Sequence, residues 1–172
     1  MIGGGKFENG ALTGAFQYLF NALATSRAAA QSVARLRAGS EQARTMLDAL
    51  QADKNATYYI DVGSAENNGG AFTVTITRTT GSFWDRLLGN ARIDTLVKVT
   101  FDSSSSVQFT DIRGIQFKPS AERLLAHELG HAYTRLVGGY YDDAIKYENL
   151  VGRQLDPNAF IRAVSDHGRG GP

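Results

Sequence analysis

The chain has 172 residues, and its 18 lysines and arginines against 17 aspartates and glutamates leave a formal net charge of +1. No charge excess therefore points to nucleic acid or to an anionic membrane. An apolar fraction of 42% suits one folded domain with a real core, and the absence of cysteine excludes a disulfide framework, a thiol nucleophile, an iron–sulfur cluster and any cysteine-based zinc finger. No apolar run approaches the ~20 residues of a membrane span. The opening Met1-Ile2-Gly3-Gly4-Gly5-Lys6 lacks the basic-then-apolar pattern of a signal peptide.

Residues 1–26 are rich in Gly, Ala, Phe and Asn and read as a connector or docking segment, with 27–172 as the domain itself. From Ser26, a good cap, to about Ala52 the spacing of Val33, Leu36, Ala43, Leu47 and Leu50 predicts a long amphipathic helix, open to interruption at Gly39-Ser40. The period then changes. Tyr58–Val62, Phe72–Thr77, Thr95–Phe101 and Val107–Ile112 are β-branched and aromatic, and short polar links between them predict an antiparallel meander. Asn67-Asn68-Gly69-Gly70 carries turn chemistry, and Trp84 reads as an amphipathic packing residue. Ser120 is an N-cap with Glu122 in the first turn, Leu125, Leu129, Ala132 and Leu136 follow at helical offsets, and Gly138-Gly139 ends the helix. A second helix is expected from Asp142 to Leu155, stopped by Asp156-Pro157. The fold class is thus α+β, with a small, mostly antiparallel sheet packed on the Ser120–Gly138 helix and a long N-terminal helix.

That helix carries His127-Glu128-Leu129-Gly130-His131, an H-E-x-x-H pattern. Residues four apart stand one above the other on a helix face, so both imidazoles can reach one ion. Glu128 projects beside them, where it can take a proton from a metal-bound water instead of ligating. Zinc suits nitrogen ligands and, in catalytic sites, keeps one position for water. Such a site needs a third protein ligand. Asp142, Asp143, Glu148, Asp156 and His167 are the downstream candidates. Glu148 is favoured, because its helix must pack against the first. His167, in a Gly-rich tail, is the chief rival, and Asp142 and Asp143 suit capping of the second helix. Tyr140, Tyr141, Tyr147, His167, Arg135 and Arg153 are candidate donors to an oxyanion.

The run Leu125-Ala126-His127-Glu128-Leu129-Gly130-His131-Ala132 resembles the active-site helix of zincin metallopeptidases. Tyr147-Glu148-Asn149-Leu150-Val151 with Arg153-Gln154-Leu155-Asp156-Pro157 is similar to the segment after H-E-x-x-H in zincin effector domains of bacterial polymorphic toxins. Gly4-Gly5-Lys6-Phe7-Glu8-Asn9-Gly10-Ala11-Leu12-Thr13-Gly14-Ala15-Phe16 resembles the connector before toxin tips of Rhs/YD-repeat and filamentous-haemagglutinin-type proteins. The resemblance covers the two ends of the chain and leaves 27–115 unmatched. It implies a zincin-like fold of the gluzincin kind, with zinc on His127, His131 and Glu148 and with Glu128 as catalytic base. It further implies a toxin tip, secreted or injected as part of a larger protein and acting in a target cell on a protein substrate, with a cognate immunity protein.

The resulting expectation is a zinc endopeptidase in which Glu128 activates zinc-bound water against a peptide carbonyl. The strand around Val107–Phe117 would be the edge to which an extended substrate adds. Zinc hydrolysis of a non-protein or cell-wall substrate, and a catalytically inactive metal-binding module, are the alternatives.

Overall fold

The computed structural model describes residues 26–63, 70–80 and 92–167, with the backbone alone for 71–80 and 92–94. The expected connector before Ser26, the turn residues 67–69, Trp84 and the last five residues lie outside them.

Two helices stand where one long helix was expected: α1 (Arg27–Gly39) and α2 (Glu41–Ala52). Ser26 opens α1 by accepting from the Ala29 N–H at 3.2 Å. Ser40, in extended conformation, makes the break at Gly39-Ser40 complete. Its own N–H closes α1 on the Leu36 carbonyl, and its hydroxyl accepts from the Ala43 N–H at 3.0 Å to open α2. One serine thus satisfies orphan groups of two helices, which a continuous helix would not need.

Three strands form the main sheet: β1 (Ala56–Val62), β2 (Gly70–Thr80) and β3 (Arg92–Phe101), in the order β1-β3-β2. β2 and β3 pair antiparallel, with Gly70 opposite Phe101. β1 and β3 pair parallel, from Ala56 opposite Thr95 to Val62 opposite Phe101. The meander expectation is corrected here. β1 and β2 run in opposite directions with a gap between them, and β3 fills it. The central strand carries the fully buried Val97, Val99 and Phe101.

The fourth expected strand shrinks to β4 (Phe109–Thr110), paired with β5 (Gln116–Phe117) in a separate two-stranded ribbon. Asp111 stops it. Its Oδ1 accepts from the N–H groups of Arg113 and Ile115, each at 2.8 Å, and Gly114 takes φ 81° to complete the reversal.

Helix α3 (Ala121–Val137) begins at Ser120, whose hydroxyl accepts from Arg123 N–H at 3.2 Å, and ends at Gly138 in the left-handed region, as the sequence predicts. It lies across β3 and β2 and also touches α1, α2 and α4 (Asp143–Leu155). The ten residues from Arg123 to Ala132 are all buried, polar ones included. Over this stretch there is no solvent face on which to leave a charge, so each ionisable group must find a partner or stay neutral. Gly130 is where α4 comes closest: a Cβ there would lie 2.9 Å from Ala144 Cα. No helix among the described residues is long and apolar enough to cross a membrane.

Candidate metal centre

His127 and His131 occupy successive turns of α3, and their Nε2 atoms are 3.2 Å apart. His167 follows a short 3-10 turn (Val164–Asp166) and brings its Nε2 to 3.2 Å from that of His131. The three candidate ligand atoms all lie within 4.8 Å of one another. Two of the three pairs, 127–131 and 131–167, are thus at a separation that one ion between them can span.

The far nitrogens of two rings meet carboxylates. His127 Nδ1 is 3.2 Å from Glu148 Oε2, and His167 Nδ1 is 2.7 Å from Asp142 Oδ1. A proton held on Nδ1 by a carboxylate leaves the Nε2 lone pair for a ligand bond, the usual arrangement behind metal-bound histidine. Electrostatics agree. Burial, then the neighbouring His127 and His167, push His131 down to about 3. Burial also lowers His127 against the opposing pull of Glu148. Imidazoles held neutral and facing each other suit a cation that needs their lone pairs. Three histidines, 127, 131 and 167, are therefore close enough to bind a metal ion.

Glu148 projects inward from α4 and is fully buried. It does not join the nitrogen cluster. Its Oε1 accepts from Arg123 Nε at 3.1 Å and Nη2 at 2.7 Å, and its Oε2 accepts from Arg162 Nη1 at 3.1 Å beside His127 Nδ1. The His127 ring thus stands between this carboxylate and the converging Nε2 atoms. Where the sequence favours Glu148 as third ligand, the geometry offers His167, with Glu148 behind His127. Burial alone would raise the Glu148 carboxyl, but the His127 bond and the two guanidiniums hold it below its ordinary range.

Glu128 is buried beside the cluster, and burial raises its carboxyl to about 8. Its side chain lies against Gly70, where a Cβ would fall within 2.6 Å of Glu128 Cγ. The start of β2 can approach α3 this closely only because residue 70 has no side chain.

The remaining candidates separate clearly. Tyr141 stacks on His167 with ring centroids 4.6 Å apart and also faces His131 at 4.3 Å. Tyr147 packs edge-on against Tyr133, and Tyr140 is largely exposed. Arg135 interacts with Tyr58, and Arg153 lines a cleft with Arg113, Pro157 and Phe160 that includes none of the three histidines. Asp143 accepts from the Tyr140 N–H in the preceding loop and pairs with Lys146, and the helix start has no side-chain cap hydrogen bond, so the expected capping by Asp142 and Asp143 is not what these side chains do. Asp142 makes no side-chain cap and turns to His167 instead. Asp156 accepts from the Asn158 N–H in the turn after α4.

Sequence reasoning missed Arg123 and Arg162. Arg123 stands four residues before His127, on the stripe that carries both histidines, so helical spacing alone could have found it. Arg162 follows no period, and nothing local announces it. Comparison of the chain with protein-family models, with curated proteins and with solved structures finds no match in any of the three.

Proposed function

We propose that this chain is a zinc-dependent endopeptidase of zincin type, with His127, His131 and His167 as the metal ligands and Glu128 as the catalytic base. The observation that carries the reading is the convergence of three Nε2 atoms beside a buried carboxylate on one helix. His127, His131 and His167 would hold the zinc, which when bound would supply Lewis acidity for the scissile carbonyl and acidify the attacking water.

Glu128 does the proton work. Burial holds its proton on at neutral pH, and a dication bound by the neighbouring imidazoles would favour the ionised form. Glu128 then takes a proton from the attacking water and passes it to the leaving amine nitrogen. Gly70 supports a different substrate edge from the one expected over Val107–Phe117. Among the described residues β2 has a strand neighbour on one side only, and it starts against Glu128. An extended peptide adding to the free edge of β2 would pass the base. By the resemblance of its ends, the chain would act as a toxin tip in a target cell, held in check by an immunity protein.

The test is Glu128→Gln in the zinc-loaded protein, assayed on a proteome-derived peptide library and, in parallel, on purified peptidoglycan. The expected result is retained zinc with peptide cleavage down ~10²–10⁴-fold. Full activity in the variant would sink the mechanism. Cleavage of peptidoglycan alone would replace the peptidase reading by cell-wall hydrolysis.

A further inference from the structure

The third imidazole comes from a stretch with no long helix or strand of its own, so something must hold it. The segment from Asp156 to His167 contains one 3-10 turn and an isolated bridge between Arg162 and Asp111. At its centre Arg162 is buried, and every nitrogen of its guanidinium has an acceptor. Nε donates to Asp166 Oδ2 at 3.0 Å, Nη2 to the Asp166 carbonyl at 3.1 Å, and Nη1 to Glu148 Oε2 at 3.1 Å. The same Nη1 lies 3.4 Å from His127 Nδ1, and the guanidinium sits 3.5 Å from the centre of the Phe109 ring.

The backbone of Arg162 is docked as firmly. Its N–H donates to Asn149 Oδ1 at 2.7 Å, and its carbonyl accepts from Asn149 Nδ2 at 2.9 Å. Two adjacent residues of α4 therefore take the side chain and the main chain of one arginine. Asp166 is pinned from the other side by the Thr110 N–H at 3.1 Å. His167 is the next residue.

We propose that Arg162 is the positioning residue that delivers His167 to the metal site and joins it to the Glu148–His127 pair, so that the three-imidazole centre assembles only when the 156–167 segment is docked. The guanidinium suits this role because its fixed fork reaches a carboxylate on each side at once, which a lysine cannot do. The proposal rests on the three-histidine reading of the metal site.

The experiment measures zinc affinity by chelator competition, and counts zinc-bound imidazoles by X-ray absorption, in the parent chain and in Arg162→Ala, Asp166→Ala, His167→Ala and the Asp166→Ala/His167→Ala double variant. Asp166→Ala leaves the interior ion pairs in place and so serves if Arg162→Ala fails to fold. Expected are a zinc affinity ~10–100-fold weaker in Arg162→Ala and Asp166→Ala, and a fall from three imidazoles to two. In the His167→Ala background, Asp166→Ala should change affinity less than about 2-fold, because its only route to the ion has gone. A purely structural role for Asp166 would cost as much with His167 absent as with it present, and that result overturns the proposal. Three imidazoles and parent affinity in both single variants overturn it as well. A parent chain that binds no zinc through histidine removes the metal reading itself, and this proposal with it.

Discussion

His127 and His167 face the same point from opposite kinds of surroundings. Behind His127, Glu148 is fully buried and gripped by two guanidiniums. Behind His167, Asp142 is an exposed residue at the head of α4, with a side chain 65% accessible. The first carboxylate has exchanged its water for fixed donors and cannot lose one without leaving a charge stranded. The second remains hydrated and can be replaced at little cost. The two imidazoles are both buried, but the carboxylate behind one belongs to the core and the carboxylate behind the other lies at the surface.

The largest effect should come from breaking the inner half. Glu148→Ala removes the one acceptor that Arg123, Arg162 and His127 share, and should destabilise the metal-free protein by about 3–5 kcal/mol in urea unfolding. A loss below about 1 kcal/mol would mean that the interior charges are less committed than their geometry implies. Glu128→Gln in the same metal-free protein sharpens the contrast through pH. The folded value of about 8 lies above the ordinary 4.5, so folding favours the protonated carboxyl. Stability linked to that proton is whole below about pH 4.5, declines as pH rises toward about 8, and is level beyond. The Gln variant lacks this decline, so its advantage over the parent should grow between about pH 4.5 and 8. A constant difference across that range would contradict a buried, raised carboxyl.

Smallest is the outer half. Asp142→Asn should shift unfolding stability by no more than about 0.5 kcal/mol. It should weaken zinc binding by about 10-fold, the low end for an orienting partner. If it matched Glu148→Ala in stability, the division between core and surface carboxylate would be false.

The same division marks what the sequence could reveal. α3 was legible from end to end because its signals are local: Ser120 to start, apolar offsets through the middle, Gly138 to stop. The pairing of His127 with His131 follows from helical spacing and needs nothing else. The inward direction of Glu148 was also legible, since α4 had to pack on something. Which nitrogen of His127 it would meet was not, because that depends on how closely the two helices approach at Gly130 and Ala144. By sequence His167 ranks behind Glu148, because its surroundings are rich in glycine. Its anchorage is non-local: Asp166 reaches Thr110, and Arg162 reaches Asn149 and Glu148. The strand segments of the main sheet were legible from their residue types. Their order was not, since parallel and antiparallel neighbours of β3 offer the same alternation of side chains.

The order β1-β3-β2 also dictates how this sheet can be born. Among the described residues β1 and β2 follow one another along the chain but share no ladder, and each pairs with the later strand β3. Among the described residues neither has a main-chain partner in the sheet without residues 92–101, so loop closure must come before either ladder can form. β2 can join β3 as a sequence-adjacent antiparallel pair, whereas β1 reaches it only by the longer parallel connection, so the central strand with its buried Val97, Val99 and Phe101 is the one on which both pairings depend.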